Sequence, residues 1–216
     1  MEFSQALNNR KSIRWFKDQS VKLEDIQTIL TEAQLVPNWV NSQPWKVYVA
    51  IGQTLEQIKA QHLTLKTEKY SSSPTWSVMS RMDWQEKPRK NMVDWSKGFH
   101  AHLNEEMWIS QEVNDRLYNA QAIMYFALPK NATAWSHYDL GSFVTTAMLS
   151  AADKGIDSMA AYEYIMFTDQ LIEILPIDED YNLIMGVGLG YRDETHILNR
   201  MPRVRESLDD FLTILK

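Results

Sequence analysis

Cysteine is absent from all 216 residues. That excludes disulfides, thiolate nucleophiles and cysteine-held zinc or iron–sulfur centres, so any redox chemistry has to come from a bound cofactor. An excess of positive charge is missing too. Lys and Arg total 22 against 28 Asp and Glu, for a formal net charge of -6, which argues against a general affinity for nucleic acid or an anionic membrane. No apolar run approaches the roughly 18 residues that span a bilayer, and the opening Met-Glu-Phe-Ser-Gln lacks the basic-then-apolar order of a secretion signal. The expectation is a cytoplasmic protein. Neither a Gly-x-Ser-x-Gly elbow nor a Walker-type loop is present.

What remains is globular in composition, with 44% apolar and 23% charged residues, and the length suits one well-buried domain over 1–216. Apolar residues at Leu23, Ile26, Ile29, Leu30 and Ala33 recur at the helical period. Further helices are expected over 2–10, 54–66, 139–154 and 168–175, and strands over 45–51, 122–128 and 181–190. Helices alternating with strands imply a sheet covered by helices. Between about 70 and 117 the texture changes. Trp76, Trp84, Trp95 and Trp108 are mixed with Lys87-Pro88-Arg89-Lys90, and a helical lid or interface segment is favoured over a nucleic-acid platform because the chain is acidic.

Two phrases concentrate cations, amides and hydroxyls where folding alone does not need them. These are Arg10-Lys11-Ser12-Ile13-Arg14 and Pro37-Asn38-Trp39-Val40-Asn41-Ser42-Gln43-Pro44-Trp45. In extended chain Arg10, Ser12 and Arg14 point to one face. Fixed cations beside neutral hydrogen-bonding groups suit a ligand that carries a phosphate and a polar heterocycle. Gly186-Val187-Gly188-Leu189-Gly190 lacks the context of a dinucleotide fold, and close packing of a core strand explains it better. His100-Ala101-His102 does not share one helix face, so no metal site is expected.

With Asp139-Leu140-Gly141, the run from Met148 to Ser158, Gly188-Leu189-Gly190-Tyr191 and Pro202-Arg203-Val204-Arg205, these phrases resemble in order and spacing the nitroreductase family of FMN-dependent NAD(P)H oxidoreductases. The resemblance implies an α+β fold with a central mixed sheet flanked by helices. It also implies an intertwined homodimer with FMN at the subunit interface.

Carried over by position, Arg10, Arg203 and Arg205 resemble a phosphate clamp aided by Lys11 and Ser12. Arg14 corresponds to the position near the flavin's pyrimidine edge, where a fixed cation favours the reduced form. Asn38 and Asn41, with Gln43, would approach FMN from the partner subunit. The Ala161-Tyr162-Glu163 backbone corresponds to the family's amides near flavin N5, although this chain lacks the usual Pro-x-Glu-Gly residues there. Arg14, Tyr162 and Glu163 are thus the expected catalytic environment, with no side-chain nucleophile. The implied activity is ping-pong hydride transfer from NADH or NADPH to a nitroaromatic, quinone or related small aromatic acceptor. A flavin-binding sensor or carrier without turnover is the alternative, motivated by the altered 159–164 phrase.

Overall fold

The computed structural model describes residues 2–216. Its central element is β2 (Ala122–Pro129), an apolar run with every residue but the last buried. Successive strand side chains face opposite ways, so β2 feeds two cores. Ile123, Tyr125 and Ala127 join one core with Ile13, Phe16, Leu55, Ile58, Leu117 and Tyr164. Met124, Phe126 and Leu128 join the other with Ile26, Ile29, Leu140, Phe143, Ala147 and Ala151.

Four strands form the sheet in the order β1 (Lys46–Ala50), β2, β4 (Tyr181–Gly190), β3 (Asp157–Ala161). All three ladders are antiparallel. The expected mixed sheet is therefore met only by an isolated parallel bridge between Ser12 and Ser158. β2 and β3, joined through the Ala134–Asp153 helix, run in the same direction, but β4 inserts between them, so every neighbouring pair is antiparallel.

On one face lie α2 (Leu23–Ala33) and the long α6 (Ala134–Asp153). Lys154 bonds both Glu32 carboxylate oxygens at 2.8 Å, tying the two helices together. Gly155 stops α6 at φ 72°, with Ile156 N–H reaching Ala151 O and Gly155 N–H reaching Ala152 O. This is the two-bond helix terminus for which glycine is preferred. On the other face lie α3 (Gly52–Thr67), α5 (Trp108–Asp115) and α7 (Thr168–Ile174). The short α1 (Phe3–Asn9) precedes the cationic phrase, and α4 (Glu86–Leu103) occupies the tryptophan-rich segment. No helix among the described residues is long and apolar enough to cross a membrane.

The glycines of β4 are where a Cβ cannot go. One added at Gly186 would stand 2.3 Å from Tyr164 Cβ, and one at Gly188 would stand 2.0 Å from the Tyr164 hydroxyl. At Gly190 it would meet Phe16 Cγ at 2.7 Å. The Gly-x-Gly-x-Gly run is thus a trough for two buried rings, as close packing requires. Phe16 is the inner neighbour of the cationic phrase, so this packing also places that phrase.

Candidate active site

From Arg10 to Phe16 the chain is extended, with Ile13 and Phe16 fully buried. The burial of Ile13 turns its neighbours Ser12 and Arg14 outward. The segment is stitched to its surroundings at several points. Ile13 N–H donates to Ser158 O at 3.1 Å, Phe16 N–H to Tyr118 O at 3.1 Å, and Lys17 N–H to Tyr191 O at 2.8 Å. The acceptor turn at Leu117, Tyr118 and Asn119 has positive φ at each residue, 47°, 58° and 55°. Such conformations persist only where the surroundings hold them. Here Asn119 Nδ2 donates to Phe16 O and to Asp18 Oδ1, both at 2.8 Å.

Arg10, Lys11, Ser12 and Arg14 line one cavity of about 170 Å³. Asn199 and residues 201–205 form its second wall, and Trp95 of α4 contributes a third. Its described walls carry Arg10, Lys11, Arg14, Arg203 and Arg205 but no carboxylate. Burial, then Arg203 and Arg205, hold the Arg10 pKa below its usual value. Burial does the same to Arg14, against a smaller opposing influence from Tyr118. Like charges gathered without a counterion favour an anionic ligand.

Arg203 has a second task. Its Nη1 donates to Leu7 O and Arg10 O, each at 3.0 Å, as a cation at the carbonyl end of α1. The arm after it lies against α4, where Asn91 Nδ2 donates to Glu206 Oε1 at 2.6 Å.

The 161–163 turn lies at a different place. Glu163 is buried, and its Oε1 accepts from Lys66 Nζ of α3 at 2.6 Å. His62 Nε2 stands 3.9 Å from the same oxygen and has no hydrogen-bond partner. Burial, then the Lys66 charge, push the His62 pKa down to about 4. His62 and Glu163 border a gap of about 10 Å³, about the space of one water.

The 38–43 loop turns on three left-handed residues, Val40, Asn41 and Gln43, at φ 47°, 57° and 43°. Asn38 Oδ1 accepts from Gln43 N–H at 2.9 Å, and Gln43 Nε2 donates to Asn41 Oδ1 at 3.1 Å. Trp39 N–H docks on the buried Asp139 of α6 at 2.9 Å, with the Trp39 and Trp135 rings 5.3 Å apart.

The model of the Nitroreductase family matches residues 7–191. The chain belongs to the nitroreductase family. It is 25% identical to the 4-nitrobenzoate reductase of Pseudomonas putida, covering 94% of this chain and 91% of the relative. It is 24% identical to the nitrobenzene nitroreductase of Ectopseudomonas oleovorans over 97% of this chain and 95% of that one. Among solved structures, the FMN and NADPH-dependent nitroreductase NfnB of a Sphigopyxis strain superposes with a TM-score of 0.90 at 21% identity, covering 100% of both chains. The FMN-dependent NfnB of Mycobacterium smegmatis, solved with NADPH, gives 0.90 at 22% identity over 99% of this chain and 97% of that one.

Within this nitroreductase fold the sequence-derived residues fall into three groups. Arg10, Lys11, Ser12, Arg14, Arg203 and Arg205 share the cavity. Asn38, Asn41 and Gln43 bond among themselves and are not among the described residues of its wall. Ala161, Tyr162 and Glu163 are likewise apart from that wall. The Glu163 carboxylate is buried in this chain and paired with Lys66. Three wall residues lie outside the phrases that the sequence marks as site-forming, Trp95, Asn199 and Met201. Nothing in the Asn199 context marks it, since its partners lie up to 185 positions away. Trp95 carried a visible signal as a tryptophan in the lid segment.

Proposed function

We propose that this nitroreductase-family chain is a flavoprotein oxidoreductase that binds FMN and uses NADH or NADPH to reduce nitroaromatic, quinone or related electron-poor acceptors. The observation that carries the reading is the carboxylate-free cavity walled by Arg10, Lys11, Arg14, Arg203 and Arg205. That donor set fits a phosphate monoester, because guanidinium and ammonium groups give charge-assisted bonds of about 1.5–3 kcal/mol each. Family membership and the FMN and NADPH dependence in the names of structural neighbours support the choice of cofactor and reductant.

When bound, FMN supplies two-electron chemistry, taking a hydride equivalent from the nicotinamide and passing electrons to the acceptor in ping-pong order. Arg10, Lys11, Arg203 and Arg205 hold the phosphate, and the Ser12 hydroxyl adds a neutral hydrogen bond at the same end. Arg14 presents a fixed cation to the pyrimidine side, where negative charge gathers on reduction. Backbone N–H groups of the 161–163 turn would serve the flavin edge, while the Glu163 carboxylate is engaged by Lys66. Asn38, Asn41 and Gln43 reach the cofactor of a second copy, so the working form is a homodimer with FMN at its interface. The 70–117 segment covers the acceptor side.

Anaerobic mixing of the FMN-loaded protein with NADH or NADPH tests this reading. Prompt bleaching of the yellow band, followed by its return on adding a nitroaromatic, is the expected result. Persistent colour makes the protein a flavin binder without turnover. Failure to retain FMN removes the reading altogether.

A further inference from the structure

Between the bridges that fasten Ser12 to Ser158 and Phe16 to Arg192, the cationic segment has no strand partner for Arg14 and Trp15. Apart from Asp193 N–H, which donates to Trp15 O at 3.3 Å, their backbone groups meet one side chain. Asn199 Oδ1 accepts from Arg14 N–H at 2.7 Å and from Trp15 N–H at 3.3 Å. Asn199 Nδ2 donates to Trp15 O at 2.7 Å and to Asp193 O at 2.9 Å. A carboxamide carries the donor and acceptor of a peptide unit, so the Asn199 side chain stands where a neighbouring strand would.

Asn199 is buried, all its polar capacity is spent on this backbone, and it lines the same cavity as Arg14. The Arg14 guanidinium is held more loosely, with Nη1 donating to Ser12 O at 3.3 Å. Its direction is therefore set chiefly by its backbone. A cation already aimed at the place where charge develops stabilises that charge without reorganising at the moment of reaction.

We propose that Asn199 is the positioning residue for Arg14, aiming its guanidinium into the cavity and so setting how strongly the site favours reduced over oxidised flavin. The role rests on the FMN reading above. It assigns no contact between Asn199 and the flavin. It is separate from phosphate holding, because Arg203 is held by Leu7 O and Arg10 O and not by Asn199.

The test is the midpoint potential of the FMN-loaded protein, with the dissociation constant of oxidised FMN measured alongside. Asn199→Ala should retain oxidised FMN while losing about tenfold of its preference for the reduced form, which lowers the potential by about 30 mV for a two-electron couple. Arg14→Met should lower it at least as far. The double variant should lower it no further than Arg14→Met alone, since residues acting as one unit are not additive. A purely structural Asn199 would instead leave the potential alone, or add its own shift to that of Arg14→Met.

Asn199→Ser keeps one hydroxyl donor and acceptor, and it decides the question by the same measurements if Asn199→Ala does not fold. Loss of folding in both variants assigns Asn199 to the fold and overturns the positioning role. So does a wild-type potential in a folded variant that holds FMN. Wild-type protein that takes up no FMN overturns the FMN reading and this role with it, whereas FMN-loaded wild type with an insensitive Asn199 overturns the role alone.

Discussion

At Gly188 the space for a single methyl group is already taken by the Tyr164 ring, whose hydroxyl oxygen and Cζ lie 2.0 and 2.6 Å from where the Cβ would stand. Gly188→Ala should therefore cost about 1–3 kcal/mol in urea unfolding, the usual range for overpacking. Adding Tyr164→Phe should restore only part, because Cζ stays too close; full wild-type stability in Gly188→Ala would mean the ring repacks freely. His62 makes a different prediction. Its pKa is about 4 in the folded protein against 6.5 unfolded, so the unfolded chain binds the extra proton between those values. Stability from burying the neutral ring is complete above pH 6.5 and is lost as pH falls towards 4, by roughly 3 kcal/mol. Unfolding of His62→Leu across that window should show a correspondingly flatter pH slope, and an unchanged slope would contradict the burial argument. The role of the Gly-x-Gly-x-Gly run was legible in the sequence. The burial of His62 was not, since it depends on Glu163 and Phe167 from a distant turn.

Elements with a clean period were readable almost to their ends. The expected helix over 23–33 and strand over 181–190 match α2 and β4. The five-residue β3 carries too short a pattern to announce itself, and the structure reveals it through its pairing with β4. In α4 only Phe99 and Leu103 are buried while Val93 and Trp95 are exposed, so its pattern is blurred by apolar residues that do not face this chain's core. The link between α3 and the turn after β3 was invisible, because Lys66 and Glu163 lie 97 positions apart. Lys66→Met should leave the Glu163 carboxylate buried without its cation and cost about 3–5 kcal/mol, as broken buried pairs do. Adding Glu163→Gln should recover much of that in thermal melts. A double variant no more stable than Lys66→Met would place the loss in packing by the lysine stem rather than in the stranded charge.

For the molecule as a whole, the cationic half of the candidate site was legible because extended chain brings alternate residues to one face. The buried Ile13 between Ser12 and Arg14 enforces that alternation. Sequence order alone could not show that Arg203 also fastens the end of α1, or that the 38–43 loop docks on α6 away from the cavity. Both arise from packing between segments far apart in the chain. In the proposed homodimer the cationic segment serves one FMN while Asn38 and Asn41 serve the other, with α2 running between the two sites. The exposed Trp39, Val40, Trp135 and Tyr138 around that loop then become surface for the second copy to cover.

The central claim is that the five-cation cavity recognises a phosphate carried by a flavin. Its most direct test compares the dissociation constants of FMN and riboflavin on the same protein at fixed ionic strength. Even two of the four charge-assisted phosphate bonds, at about 1.5–3 kcal/mol each, predict that riboflavin binds at least about 100-fold more weakly. Equal affinities for the two flavins would contradict the account.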